Sequence, residues 1–151
     1  MKAITVKQPW ASAIIHGGKD VENRTTNIVG LYRGPLAIIA GKQYDEDAVL
    51  WHGDQPFAVD EDGSWRSPAG AVIGLVDLVD VHRGALSPNG KCRSLSGVHS
   101  IDHTSPWRER NVYHLVLNNP RPLPTPIPIT GFPGCRALPA DVVLQIAEQL
   151  S

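Results

Sequence analysis

Long hydrophobic runs are missing from this chain of 151 residues: no apolar stretch reaches the roughly 20 residues a membrane-crossing helix needs. That excludes a helical span and argues against a membrane partner. An excess of either charge is missing as well, since 14 Lys and Arg stand against 15 Asp and Glu for a formal charge of −1. A global basic field of the kind that drives salt-sensitive binding to duplex DNA is therefore absent, and any nucleic-acid contact must be local. Cysteine is scarce. The two present, Cys92 and Cys135, with no signal-like apolar run behind Met1-Lys2-Ala3, point to a reducing, cytoplasmic setting. A chain of this length buries an ordinary core without disulfide staples, and one domain covering residues 1–151 is expected.

Proline and glycine are plentiful, 13 and 14 respectively, and are scattered among many short apolar runs. This pattern predicts a small mixed fold rich in turns, best matched by an α+β β-barrel with a few short peripheral helices. Lys2 to Val6 reads as a strand. Pro9 suits a helix start, and Trp10, Ala13, Ile14 and Gly17 recur at helical spacing until Gly17 or Gly18 ends the helix in the left-handed region. Val21 to Thr25 is extended, and Leu36 to Ala40, apolar throughout, suits a strand covered on both faces. A second helix is expected over Asp45 to His52 behind an Asp cap, followed by a loop over Gly53 to Pro68 that carries Asp60, Asp62, Gly63 and Trp65.

Ala71 to Val81 is the most strand-like segment. Period two puts Asp77 or Asp80 on an apolar face, where a carboxylate needs a partner, and Lys19 and Arg24 are the obvious cations. The stretch 82–110 is long and polar, either a functional lid or an insertion with weak structure of its own. It contains Cys92, His99 and His103, and Cys135 follows far downstream. A metal site drawing on these two sulfurs and two imidazoles is one reading, but their spacing matches no compact zinc pattern, and ordinary loop histidines are the preferred reading. Val112 to Asn118 is a strand in which His114 reads as a satisfied sheet histidine. Five prolines in Pro120 to Pro128 indicate an extended edge segment. A helix over 139–150 closes the chain, with Val142, Ile146 and Leu150 in its apolar stripe.

Apolar patterning stops in His16 to Arg24, HGGKDVENR. The two glycines permit a turn, and the alternation of Glu22 and Arg24 sends both side chains to one face, an arrangement that builds one wall of a cleft. Lys19, at the helix C-terminus, has a simpler reading as a helix-dipole cation.

Gly17-x-Lys19-x-x-Glu22-x-Arg24, directly after a Gln8-Pro9-Trp10-Ala11 helix start, resembles the signature of ASCH domains, relatives of the PUA domain. Three further motifs in the same order strengthen the resemblance: Tyr32-Arg33-Gly34-Pro35 before an apolar strand, Gly74 to Asp80, and Tyr113 to Leu117 followed by Asn119-Pro120. Together they span most of residues 3–130. The resemblance implies a PUA-like mixed β-barrel of five or six strands with short helices, and a cleft in which the signature residues meet. It also implies an association with RNA, through binding of single-stranded RNA or modified bases, metal-dependent ribonuclease activity, or, in a small bacterial subgroup, hydrolysis of the acetyl amide of N4-acetylcytidine. That subgroup places Thr where this chain has Glu22, so its nucleophile is missing here.

Two functions follow as expectations. In the first, Lys19, Arg24 and Arg33 engage phosphate or a base edge, Glu22 and Asp77 accept hydrogen bonds, and Trp10 or Tyr32 gives a stacking surface for a single-stranded or modified nucleotide. In the second, Lys19, Glu22 and Asp77 are catalytic groups of a nucleoside amidohydrolase or ribonuclease, with a divalent metal if the protein is a nuclease. No other cofactor is implied.

Overall fold

The computed structural model describes residues 1–48, 51–52, 55–56 and 64–151. Its order begins β1 (Lys2–Gln8), α1 (Trp10–His16), β2 (Val21–Arg24) and β3 (Gly34–Tyr44), with the short strands β4 (Trp51–His52) and β5 (Gln55–Pro56) paired to each other. A 3-10 turn (Ser64–Arg66), β6 (Ala71–Arg83), β7 (Cys92–Arg93), β8 (Ser100–Ile101), β9 (Tyr113–Pro128), β10 (Cys135–Ala137) and α2 (Ala140–Leu150) complete it. The main sheet runs β10-β1-β3-β6-β7-β8, and β9 pairs with β6 on one side and with β2 on the other. It is mixed: β1 and β3 are parallel, while every other pair is antiparallel. The sheet therefore has eight strands rather than five or six, and among the described residues no ladder joins β1 to β2, so it stays open there.

The sheet is covered on both faces, which is why the Leu36 to Ala40 stretch is apolar without alternation. On one face Ile4, Val6, Leu36, Ile38, Ile73, Val76, Leu78 and Leu115 pack under α1 through Ile14 and Ile15. On the other, Ala3, Ala37, Ile39, Val72, Leu75, Leu123 and Ile127 receive Val142 and Ile146 of α2. Where α1 crosses the sheet, Gly74 is needed for space: a Cβ there would stand 2.7 Å from Ile15 Cδ1 and 2.8 Å from the Arg121 carbonyl. The proline-rich stretch is a continuation of β9, and beyond Val116 it has β6 as its one strand neighbour among the described residues, so there the missing N–H groups interrupt no second ladder.

Among the described residues of Asp45 to His52, the expected helix is not found. Asp45 Oδ1 accepts the Asp47 N–H at 3.2 Å, its carbonyl accepts Ala48 N–H at 3.1 Å, and its Oδ2 accepts Trp10 Nε1–H at 2.8 Å. The acid that reads as a helix cap instead makes a turn held to α1, and Trp51–His52 is strand. Val49 and Leu50, like Asp60, Asp62 and Gly63 of the expected loop, lie outside the described residues.

Candidate functional site

The open seam between β1 and β2 is where the charged signature lies. Helix α1 ends as its glycines require: Gly18 adopts φ +73°, and the Lys19 N–H reaches back to the Ala13 carbonyl at 3.0 Å. The chain then turns into β2, whose pairing with β9 fixes Glu22 opposite Leu115 and Arg24 opposite Tyr113. Glu22 and Arg24 share a face as their alternation predicts. Arg24 Nε donates to Glu22 Oε1 at 3.0 Å, and Lys19 Nζ donates to Glu22 Oε2 at 3.0 Å and to the Val21 carbonyl. Lys19 and Glu22 are buried, 6% and 7% exposed, so neither charge is a surface ornament. Arg24 Nη2 bridges the seam to the Thr5 carbonyl on β1 at 2.8 Å.

Above this bridge is a cleft of about 660 Å³, in the size range of a small-molecule pocket. Trp10 and Phe132 give it aromatic walls, Lys7, Arg24 and Lys42 bring positive charge, and Thr5, Asn23, Thr25, Gln43 and Thr130 line it with neutral polar groups. Gly131 lets the lining segment that carries Phe132 approach β1 closely, since a Cβ there would come within 2.8 Å of Thr5 Cγ2. Lys19 Nζ stands behind Trp10, 5.9 Å from a ring centroid and at the outer reach of a cation–π contact. Glu22 is the one carboxylate among the described lining residues, and both its oxygens already accept charged donors. That donor set does not fit a hard divalent cation, which needs several available oxygens.

Four of the expected site residues are not among those lining this cleft: Lys19, which stands behind it on Glu22, and Asp77, Tyr32 and Arg33, which lie away from it. Asp77 lies on β6 between Val76 and Leu78, whose side chains enter the α1 core, so its own carboxylate points to the opposite side of the sheet. There Arg121 Nη2 donates to it at 2.7 Å and Asn119 Nδ2 at 3.0 Å, and these bonds hold its pKa below the ordinary carboxylate value. The partners expected for it, Lys19 and Arg24, are taken by Glu22. Tyr32 packs against the α1 core with Lys2 over its ring, and Arg33 bonds the carbonyls of Gly30 and Tyr32. Neither is among the lining residues.

A second cluster is one the sequence reading missed. Cys92 and His103 are not isolated loop residues: they meet His82 of β6 and His114 of β9, which face each other in the ladder. Burial lowers the pKa of His103 to about 4, with the neighbouring His82 and His114 adding to the effect, and burial likewise lowers that of His114. His99 is exposed, and Cys135 packs at the edge of the α1 core on β10. The usable signal was a histidine at an inward position of each of two apolar strands.

The ASCH domain family model matches residues 4–116. Among solved structures, the chain is similar to the ASCH protein of Zymomonas mobilis, at 15% identity over 97% of this chain and 93% of that one, with a TM-score of 0.57. Two crystal structures of single-substitution mutants of that protein align at 15% and 14% identity, cover 97% of this chain and 96% and 94% of theirs, and give TM-scores of 0.56 and 0.54. A comparison with curated protein sequences finds no match.

Proposed function

The chain belongs to the ASCH domain family, which is generally associated with nucleic acid, and from that premise we propose that it binds a single-stranded or modified nucleotide in the seam cleft. The observation that carries this reading is the combination, in one cleft of about 660 Å³, of Trp10 and Phe132 with Arg24, Lys7 and Lys42. Aromatic faces stack bases and nearby cations take phosphate, the two contacts that single-strand recognition uses. In this reading Arg24 and Trp10 touch the nucleotide. Lys19 and Glu22 are positioning residues: the ion-paired Glu22 orients the Arg24 guanidinium at its Nε, the Thr5 carbonyl takes Nη2, and among the described residues Nη1 has no hydrogen-bond partner.

The hydrolytic alternative asks for a base with an available lone pair. Glu22 has both oxygens engaged by cations, and Asp77 is held by Arg121 across the sheet, so recognition without bond cleavage is the better fit.

The test is fluorescence anisotropy with a panel of short labelled single-stranded RNAs, competed with free and acylated nucleosides. Trp10→Ala should weaken binding about 5- to 150-fold, the loss expected for a stacked base worth about 1–3 kcal/mol. Arg24→Ala should weaken it comparably. Lys42→Ala, at an exposed position, gives a variant whose fold is not at stake. Binding undiminished in all three overturns the proposal, and so does RNA or nucleoside cleavage that disappears in Glu22→Gln.

A further inference from the structure

We propose that His82, Cys92, His103 and His114 form a structural site for a zinc-class divalent cation. The four offer one ligand atom each, and these atoms lie within 4.8 Å of one another. His82 Nε2 is 3.0 Å from His103 Nδ1 and 3.1 Å from His114 Nδ1, the latter two are 3.2 Å apart, and Cys92 Sγ is 3.7 Å from His114 Nδ1. Zinc–nitrogen bonds of about 2.0–2.1 Å and a zinc–sulfur bond of about 2.3 Å, arranged tetrahedrally, put nitrogens about 3.3 Å apart and sulfur about 3.6 Å from nitrogen. The three nitrogen–nitrogen spacings and the Cys92–His114 spacing match this pattern, and the longest separation in the set, 4.8 Å, is one that a small rotation of the Cys92 side chain closes.

Hydrogen bonding alone does not account for the arrangement. His82 Nδ1 is 2.7 Å from Asp80 Oδ2, and His114 Nε2 is 2.6 Å from the Glu109 carbonyl. With neutral rings, oxygen acceptors at those nitrogens fix the tautomers: His82 carries its proton on Nδ1 and His114 on Nε2, so each presents a bare lone pair to the cluster. Those lone pairs face each other at 3.1 Å. A His103 Nδ1–H shared between them still leaves that contact without a proton. A cation at the common centre removes the repulsion and uses every lone pair, and the Asp80–His82 pair is then the carboxylate–histidine support that metal-bound imidazoles usually have.

The donor set selects the metal. Three imidazoles and a thiol, with no oxygen ligand, disfavour magnesium and calcium and suit zinc. Four protein ligands fill a tetrahedron and leave no position for a substrate, and His82, Cys92 and His114 are at most 1% exposed, which marks a structural site rather than a catalytic one.

The fold also shows what the metal would hold. The ligands come from β6, β7, the segment after β8, and β9. Between Gly84 and Asn111, Cys92 is the one buried hydrophobic residue, so this insertion has almost no core of its own. Metal ligation is a common substitute for a core in such segments. Gly84 fits the same picture: a Cβ there would stand 2.8 Å from His114 Nε2 and 3.0 Å from the Glu109 carbonyl, displacing the bond that orients the ligand.

The experiment uses the full chain without a histidine tag. Elemental analysis of the purified protein should give roughly one zinc per chain, and chelation should lower its melting temperature, with recovery on adding zinc alone. Cobalt(II) added to the chelated protein should give the visible bands of tetrahedral cobalt and a near-ultraviolet thiolate-to-cobalt band. That band should vanish in Cys92→Ser and persist in Cys135→Ser and His99→Ala, while Asp80→Asn should weaken zinc affinity about 10- to 100-fold. Cobalt spectra without a thiolate band in the wild-type chain, or a band that survives in Cys92→Ser, overturn the proposal. So does a chelated protein whose melting temperature zinc does not move. None of these readouts involves RNA, so the cleft reading stands or falls separately.

Discussion

Lys19 is a structural cation first. With its Nζ bonded to Glu22 and the Val21 carbonyl and only 6% of the residue exposed, removing it leaves a buried carboxylate with Arg24 alone to compensate. Lys19→Ala should destabilise the fold by about 3 kcal/mol, the lower end for breaking a buried pair, because one cation remains. Urea denaturation measures this, and a loss within experimental error of zero would show that the pair contributes nothing. Asp77 gives a second residue-scale prediction. Hydrogen bonds from Arg121 and then Asn119 depress its folded pKa, so its contribution to stability is fully present above the unfolded value of about 3.9 and is lost as pH falls through the lower folded value. Asp77→Asn should flatten that acid limb of the stability–pH curve and leave RNA binding unchanged, and loss of binding in this variant would return Asp77 to the functional site. That Glu22 and Arg24 share a face was readable from sequence because period-two alternation is local; that they pair with each other was not, since Arg24 read as a partner for Asp77. The partner of Asp77 was not, because Arg121 reaches it only through the bulged register of β6 on β9.

Elements were readable where a single force decides them. The apolar runs of β3 and β6, the helix between Pro9 and Gly18 and the stripe of α2 each follow from burial and from glycine or proline at an end. At Asp45 the cap-type bond to the Asp47 N–H does form, but it closes a turn rather than opening a helix, and the second carboxylate oxygen ties that turn to Trp10 Nε1. The insertion between β6 and β9 was opaque for a related reason. Its four candidate ligands are ten or eleven residues apart along the chain and come from four segments, so no compact motif announces them. The same insertion reaches the candidate cleft wall from behind, where Asn23 of β2 donates to the Trp107 carbonyl at 2.9 Å and accepts the Glu109 N–H at 3.0 Å. Ser105 bonds Asp20 beside it. A clasp on the insertion and the shape of the signature loop are thus mechanically connected.

At the scale of the whole molecule, the open sheet and the near-zero net charge lead to one consequence. Because β1 and β2 do not pair, the sheet leaves a seam, and a few cations are concentrated along it rather than spread over a face. A chain with formal charge −1 has no long-range field to add to them. Salt should therefore act only through the phosphates that Lys7, Arg24 and Lys42 reach. Each single-strand phosphate contact contributes about 0.7 to the slope of log affinity against log salt, so three give a slope no steeper than about −2. Anisotropy titrations across a salt series test this directly, with Lys42→Ala expected to make the slope shallower by about 0.7. A much steeper slope would mean that nucleic acid runs along a surface beyond the cleft. A slope near zero with Trp10→Ala still disruptive would mean that the cleft reads a base or nucleoside by stacking and hydrogen bonds alone, and that Arg24 serves Glu22 rather than phosphate.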